Sequence, residues 1–368
     1  MLFLFQLIQV NFTHIVLSLC RSKKFQSQKE TMSSLYKVTE IEGKGLGCVA
    51  ISDIKKGSLI LMEKPQLCFE TEEKIGSSMW IKSLLKSFYE MSKADQNEYM
   101  TLHNKFDNIQ NLQNSVDIPN CKEILDKFEI GKIEKDPEKA EKILKICSIF
   151  STNSYEDGVY FKVSRINHSC QPNADSFKVN GQHQIRAVGN IKAGKEINLN
   201  YIDDFSGFRN RKYRRQYLLK WKGLLCSCDL CEKRDVDIDA EAFEAFIQEA
   251  EKLTIKRQSA IKAGIPLGPR YYSLENCKKE TMCYKQLYKV GKDQNIQPYF
   301  LFLMLYKGFR AATTGYILYK AADLKIDAMN FGKAAEKFGK LLGNDIVTQG
   351  NTFSYKQYYQ EMIDKAGY

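Results

Sequence analysis

The stretch Arg165-Ile166-Asn167-His168-Ser169-Cys170-Gln171-Pro172-Asn173 places an Asn-His pair, a cysteine and a Pro-Asn turn within nine residues. Two further stretches follow it in the chain, Gly194-Lys195-Glu196-Ile197-Asn198-Leu199-Asn200-Tyr201 and then Cys226-Ser227-Cys228-Asp229-Leu230-Cys231. None of the three is decisive alone, but their order and spacing together are specific. The rest of the chain is therefore interpreted by how it serves these stretches.

Three cysteines of the last stretch have the spacing of metal ligands. A structural zinc takes four ligands in a tetrahedron, so Cys226, Cys228 and Cys231 leave one position to be filled from elsewhere. Cys170 in the first stretch is the natural fourth ligand. The sequence therefore predicts a structural zinc site that ties the region after residue 205 to the Asn-His turn.

His168 has three candidate roles in this arrangement: zinc ligand, general base or structural histidine. Beside Asn167, it is expected to use its backbone, and the asparagine its amide, to hold a ligand at a tight turn. A Ser/His/Asp hydrolase fits poorly, because Ser169 does not stand in the Gly-x-Ser-x-Gly elbow of that class.

The bulk composition is that of an ordinary globular protein of one or two domains. The chain has 368 residues, 43% of them hydrophobic, and a formal charge of +11. That charge favours acidic partners only weakly, and a solvated lysine-rich surface explains it. The 11 cysteines are an odd number and most stand singly, which indicates a reducing compartment, the cytoplasm or the nucleus.

The hydrophobic pattern divides the chain into six regions. Residues 1–31 are an apolar extension. They are either a spurious or alternative start before Met32 or a targeting segment. The chain is expected at a membrane only if these residues are part of the protein. Short glycine-punctuated strands follow, with a hairpin turn at Gly43 to Gly47. The six regions are 1–31, a first strand region at 35–70, a helical insert at 71–146, a second strand region at 147–204, a basic and cysteine-rich region at 205–235, and a helical C-terminal region at 236–368.

Helical periodicity supports the insert and the C-terminal region. Apolar residues recur at helical spacing in 80–89, 122–128 and 138–149, and Asp136-Pro137 is a strong helix start. Residues 240–253, 278–290, 298–324 and 328–342 read as paired helices with aromatic cores, and Gly343-Asn344 as a helix stop. The five basic residues between Arg209 and Arg215 are expected to form a solvated helix face, so direct nucleic-acid binding is not expected.

Four motifs in this order resemble a SET-domain lysine methyltransferase with a post-SET zinc cluster. They are residues 43–47, 165–173, 194–201 and 226–231. The long insert and the helical C-terminal region are most similar to the SET and MYND-domain-containing (SMYD-like) branch. The resemblance covers about residues 35–368, and implies an α+β fold: a β-rich SET domain with a helical insert, a post-SET zinc site and an all-α, TPR-like C-terminal region.

The resemblance also implies site residues. S-adenosylmethionine would be bound by Lys44, Gly45, Leu46, Asn153, Asn167 and His168, with Lys44 near its carboxylate and Asn167 and His168 at its adenosine part. Tyr201 would be the catalytic tyrosine beside a narrow channel, and the zinc on Cys170, Cys226, Cys228 and Cys231 would be structural.

The chain departs from the branch at three places. The insert contains only Cys121 and Cys147, so the MYND zinc module is absent. Leu224 replaces an aromatic residue that would stack on adenine, with Trp221 as its candidate substitute, and Lys195 replaces a second acidic residue beside Glu196.

The leading hypothesis is therefore a protein-lysine N-methyltransferase acting on a histone or another protein, as a chromatin regulator would. The alternative is a catalytically weak SET scaffold that works as a protein-interaction module. In either case a protein partner on the C-terminal helices is a further expectation.

Overall fold

The structure is a computed structural model. It describes residues 35–69, 73–105, 128–155, 158–179, 181–202, 205–232, 241–262, 273–294, 296, 298–321, 325–342, 346–348 and 351–353. The predictions for residues 1–31, and for nearly all of the helix at 122–128, lie outside these ranges. Two compact units make up the chain: Met1–His168 with Asn173–Leu199 and Arg215–Cys226, and Ser169–Pro172 with Asn200–Arg214 and Ser227–Tyr368.

A small antiparallel sheet in the first unit carries the glycine-rich turn. Its strands are β1 (Tyr36–Ile41) and β2 (Gly45–Ala50), and β2 also pairs with a short strand at Glu196–Ile197, called β8 below. Gly43 and Gly45 have φ angles of +71° and +67°, which glycine adopts without the steric cost that a side chain brings. The predicted hairpin turn is confirmed, and it presents Lys44 between two left-handed glycines.

A second sheet in the same unit has the strand order β3-β7-β6. It consists of β3 (Leu59–Glu63), β6 (Ala174–Val179) and β7 (Gln182–Ala187), all antiparallel, and a separate hairpin joins β4 (Ser154–Tyr155) to β5 (Gly158–Val159). Alternate residues of β7 are buried, because successive side chains of a strand point to opposite faces. One face of this sheet therefore belongs to the core.

Helices fill the insert between the strand regions, as the periodicity predicted. They are α1 (Ser78–Glu90), α2 (Lys93–Met100) and α3 (Pro137–Asn153). The Asp136 side chain accepts hydrogen bonds from the amides of Glu138 and Lys139, with Pro137 at the first helical position, so this predicted helix start is confirmed. The helices share an apolar core that includes Trp80, Ile81, Leu84, Phe88, Ile146 and Ile149.

The basic stretch after residue 205 differs from its prediction. A 3-10 turn (Ser206–Phe208) leads into α4 (Arg211–Lys222), and a short helix α5 (Asp229–Glu232) follows within the cysteine stretch. Arg209 and Arg214 are only 8% and 2% exposed. The solvated-face interpretation is therefore wrong for these two arginines, because each has polar partners within the protein that the sequence pattern does not reveal.

The second unit is dominated by long helices. They are α6 (Glu241–Lys262), α7 (Leu274–Asp293), α8 (Pro298–Ala321) and α9 (Lys325–Leu342), and a hairpin of β9 (Ile346–Thr348) and β10 (Asn351–Phe353) follows them. The predicted aromatic core is confirmed by the buried side chains of Phe208, Phe243, Tyr284, Phe300 and Phe309. Together with the short antiparallel strands, these helices confirm the α+β class. Within the described ranges, no helix has the length and apolar character needed to cross a membrane.

Candidate functional site

The β1–β2 turn faces the acidic residue of the third motif. Lys44 Nζ lies 2.7 Å from Oε2 of Glu196, the first residue of β8. The two side chains are 29% and 17% exposed, so the pair is partly shielded from solvent screening. The ammonium predicted to meet the cofactor carboxylate is therefore held by a protein carboxylate.

Asn167 is attached to the same carboxylate. Its Nδ2 donates a hydrogen bond of 3.0 Å to Glu196 Oε1. The two oxygens of Glu196 thus bring together Lys44 and Asn167, two of the residues predicted to bind the cofactor. No role for Glu196 was predicted from the sequence, although its pairing opposite Val49 on β2 places it near the glycine-rich turn.

Gly47 lies directly against the Asn167 and Glu196 side chains. A Cβ on Gly47 would lie 2.6 Å from Asn167 Nδ2 and 3.2 Å from Glu196 Oε1. The first distance is shorter than any ordinary packing contact, so only glycine fits without displacing Asn167. Gly47 was missed as a site residue, and the signal available for it was its place as the last glycine of the Gly-x-Gly-x-Gly run. Of the predicted residues on β2, Gly45 begins the strand and Leu46 is 41% exposed.

The Asn-His turn is tied to the strand region that carries Glu196. The Leu199 amide donates to the Asn167 carbonyl at 3.0 Å. Asn173 Nδ2 donates to the Glu196 carbonyl at 2.8 Å, while Asn173 Oδ1 accepts from the Asn198 amide at 2.9 Å. The side chain of Asn173 thus satisfies two backbone groups on one strand, which fixes the register between the turn and β8.

His168 belongs to the Asn-His turn, and Tyr201 follows Leu199 by two residues in the chain. His168 is 5% exposed and forms a parallel bridge with Leu199, so its backbone takes part in the sheet-like pairing. Tyr201 is half-buried and follows Asn200, whose side chain bonds to the Ser206 hydroxyl and to the Ile202 amide. The position of Tyr201 is thus set by an anchored neighbour on its N-terminal side.

The amide of Asn153 bonds to backbone carbonyls and not to Lys44, Glu196 or Asn167. It is the last residue of α3, and its Nδ2 donates to the carbonyl oxygens of His103 and Ile149, each at 2.8 Å. Both amide hydrogens are therefore used by backbone, and the side-chain oxygen is the atom left for a ligand.

A lysine with an altered pKa lies next to Asn153. Lys222, the last residue of α4, donates from Nζ to the Thr152 carbonyl at 2.7 Å, and its own carbonyl contacts His103 Nε2 at 2.9 Å. Burial of the ammonium, with Lys105 as a neighbouring cation, lowers the pKa of Lys222 to about 8. Lys222 was not predicted as a site residue, because a lone lysine at a helix end carries no sequence signal of an altered pKa.

The four predicted zinc ligands converge. The Sγ atoms of Cys170, Cys226, Cys228 and Cys231 lie within 4.8 Å of one another, and all four residues are buried. Cys170 and Cys231 are 3.6 Å apart at sulfur, which is too far for a disulfide. Four thiolates around zinc at about 2.3 Å have sulfur atoms about 3.8 Å apart, so the donor set and spacing fit a tetrahedral zinc.

The chain was compared with known proteins at the level of families and of individual relatives. Residues 45–202 match the family described as SET domain. Histone-lysine N-methyltransferase SET5 of Saccharomyces cerevisiae is 38% identical over 94 residues, 25% of this chain and 17% of that protein. Histone-lysine N-methyltransferase SMYD3 of Mus musculus is 34% identical over 126 residues, 32% of this chain and 28% of that protein.

A viral relative is similar over a longer range. The putative SET domain-containing protein L678 of Acanthamoeba polyphaga mimivirus is 26% identical over 229 residues, 58% of this chain and 80% of that protein. By contrast, the chain spans less than a third of the length of the SET5 and SMYD3 proteins just described. The predicted resemblance is confirmed over residues 45–202, which hold the second and third motifs and most of the first, and by the similarity to SMYD3. Over residues 45–202 the chain is therefore similar to the SET domain family.

Proposed function

We propose that the chain is an S-adenosylmethionine-dependent protein-lysine N-methyltransferase. The observation that carries the proposal is the meeting of three separate motifs at one carboxylate, where Glu196 bonds to Lys44 and to Asn167. The relatives named as histone-lysine methyltransferases support the reaction class. The alternative of a catalytically weak scaffold has no comparable observation in its favour.

The cofactor is assigned to the glycine-rich turn and the Asn-His turn. Lys44, Gly45 and Leu46 would meet its amino-acid part, and Asn167 and His168 its adenosine part, with Asn153 offering its side-chain oxygen. The fit is supported by the glycine at position 47, where a Cβ would crowd Asn167 Nδ2 at 2.6 Å. Glycine at this position leaves the Asn167 side chain free to bond to Glu196 Oε1, so the group assigned to the cofactor stays in place.

The reaction requires an uncharged lysine amine. S-adenosylmethionine supplies a sulfonium methyl group, which the amine accepts while the thioether leaves. Free lysine has a pKa of about 10.4, so the substrate ammonium must first lose its proton. An apolar channel favours that loss by desolvation, and the Tyr201 hydroxyl would then orient the neutral amine. Correct positioning of two reactants supplies much of the rate in such a transfer.

Zinc is assigned a structural role on Cys170, Cys226, Cys228 and Cys231. The close, buried arrangement of their sulfur atoms supports this ligand set. All four coordination positions would be occupied by protein, so no position remains for a substrate or a water. Folding of the region around the cysteines would then depend on the metal.

The substrate class is a protein that presents a lysine side chain, either a histone or another protein. The helices of the second unit are assigned to contacts with a partner protein. The cytoplasm or the nucleus is assigned as the compartment in which the protein acts. The isolated cysteines of the chain support a reducing compartment. Direct nucleic-acid binding is not proposed, since Arg209 and Arg214 of the basic stretch are buried.

The proposal is tested by binding and turnover with the zinc-loaded full chain. Calorimetric titration with S-adenosylmethionine is expected to give saturable binding, with S-adenosylhomocysteine competing. Incubation of a protein array with labelled cofactor, followed by mass spectrometry, is expected to locate methyl groups on lysines. Absence of cofactor binding would overturn the enzyme assignment, whereas binding without transfer to any lysine would favour the scaffold.

A further inference from the structure

Arg214 is a buried cation with an unusual set of partners. It is the fourth residue of α4 and is 2% exposed. Its Nη1 donates to the Arg209 carbonyl, and its Nη2 lies 3.7 Å from Cys231 Sγ. Its Nε is buried and has no hydrogen-bond acceptor. Among the residues that the structure describes, no carboxylate pairs with Arg214.

A guanidinium in this position is costly unless negative charge lies close to it. The positive charge of the neighbouring Arg209 is paired with carboxylates. Its two terminal nitrogens lie 2.5 Å from Glu244 and 3.2 Å from Glu251. Arg214 has cysteine sulfur in the place of these carboxylates, because its Nη2 lies 3.7 Å from Cys231 Sγ, which itself lies 3.6 Å from Cys170 Sγ. Neutral thiols would leave the positive charge of Arg214 uncompensated.

Metal loading changes the charge of the cysteine cluster. Zinc is bound by thiolates, and four thiolates around one divalent ion leave two negative charges in excess. A buried N–H donor aimed at a ligand sulfur stabilises that excess and holds the ligand in place, as groups around metal ligands generally do. The Arg214 guanidinium thus lies beside the cysteines that would carry the excess negative charge of the zinc-loaded cluster.

We propose that Arg214 is the positioning residue that balances the charge of the zinc–cysteine cluster, so that zinc affinity and the burial of Arg214 depend on each other. The inference rests on the proposed zinc site. It gives the basic stretch a function inside the protein, since one of its arginines serves the metal cluster rather than an external acidic partner.

The test compares Arg214→Met with Lys212→Met. Both substitutions remove one positive charge from the same turn of α4, but Lys212 is exposed. Zinc transfer from the full chain to a chromophoric chelator is expected to show affinity about 10-fold to 100-fold weaker for Arg214→Met, and unchanged for Lys212→Met. Arg214→Lys keeps the charge and is expected to recover part of the lost affinity.

A second measurement does not depend on the loaded Arg214→Met protein being stable. Thermal midpoints are measured for the wild type and Arg214→Met, each with zinc and after chelation. Chelation is expected to lower the midpoint of the wild type more than that of the variant. In the wild type, metal removal leaves the buried Arg214 cation without a counter-charge, whereas the variant has no cation at this position. Equal decreases would overturn the inference.

The outcomes separate the two proposals. A wild-type chain that binds no zinc would overturn the zinc site itself, and the inference with it. A wild-type chain that binds zinc with the same affinity as Arg214→Met would leave the zinc site intact and overturn only the role of Arg214. Substitution of cobalt for zinc gives an independent readout, since the thiolate-to-cobalt absorption of Arg214→Met is expected to shift relative to wild type.

Discussion

Glu196 Oε2 lies 2.7 Å from Lys44 Nζ, although 152 residues separate the two in the chain. The other oxygen of the same carboxylate accepts from Asn167 at 3.0 Å. Glu196 therefore fixes both residues before any ligand arrives. In the proposed enzyme this arrangement reduces the ordering that cofactor binding requires.

Glu196→Ala is accordingly expected to weaken cofactor binding. Loss of the carboxylate releases the Lys44 ammonium and the Asn167 amide, and we expect affinity for S-adenosylmethionine to fall about tenfold, or about 1.4 kcal/mol. Calorimetric titration measures the change. Asp53→Ala is the matched control, because it removes an exposed carboxylate that also pairs with a lysine at 2.7 Å, Lys192. Equal affinity in Glu196→Ala and the control would contradict the role of Glu196.

Gly47→Ala is expected to disturb the same group through packing. The added methyl would meet both Asn167 Nδ2 and Ile41 Cγ1 at 2.6 Å, and overpacking of this kind costs about 1–3 kcal/mol. Denaturant unfolding measures the loss, and titration measures an accompanying loss of cofactor affinity. Gly189→Ala is the control, since nothing lies within 4 Å of its added Cβ. A Gly47→Ala protein as stable as this control would show that the position tolerates a side chain.

Tyr201→Phe is expected to separate chemistry from binding. Removal of the hydroxyl leaves the ring in place, so cofactor affinity should stay nearly unchanged while methyl transfer falls about 100-fold or more through loss of amine positioning. Single-turnover transfer of labelled methyl measures the rate. Tyr89→Phe, on an exposed tyrosine of α1, is the control. Unaltered transfer in Tyr201→Phe would mean that another residue orients the amine.

Cys228→Ser is expected to remove zinc and unfold its surroundings. Serine is a poor zinc ligand, so metal content should fall well below about one ion per chain, and the thermal midpoint should fall with it. Elemental analysis and a melting curve measure the two effects. Cys68→Ser is the control, because Cys68 is exposed and lies outside the cluster. Retention of zinc and of the midpoint by Cys228→Ser would require another ligand set.

Lys222 makes stability depend on pH in the alkaline range. Its pKa in the folded chain is about 8, below the value of about 10.4 for an unfolded lysine. Between these values the unfolded chain binds the additional proton, so the free energy of unfolding should rise with pH through this window. Lys222→Met should lose this rise, while Lys220→Met, an exposed lysine of the same helix turn, should retain it. Denaturant unfolding from pH 7 to pH 10.5 measures the slopes, and parallel slopes in both variants would contradict the assignment.

The local features of the fold could be predicted because their causes lie within a few residues. The Asp136-Pro137 helix start, the hairpin turn at Lys44 and the cysteine spacing each depend on backbone geometry or ligand number that neighbouring residues determine. The order of the regions could also be predicted, because four short motifs in series resemble one family and so indicate one fold class.

The relations across long sequence distances could not be predicted in the same way. Glu196 carries no pattern that names Lys44 and Asn167 as its partners, because those contacts depend on how β8 pairs with β2. Arg214 and Lys212 have the same basic character in the sequence, yet one is buried and the other exposed. Helix rotation decides between them, and basic residues at adjacent positions such as 211–212 and 214–215 give no clear periodicity from which to read it.

The amide of Asn173 sets a limit on redesign of this protein. It bonds to the backbone of Glu196 and of Asn198, and it stands three residues after Cys170 in the same turn. In the proposed enzyme, widening this turn to admit a bulkier sulfonium donor is expected to move Cys170, which is assigned to the zinc, as well. The partly exposed Leu46 on β2 is the better starting point, because a change there leaves the shared turn intact.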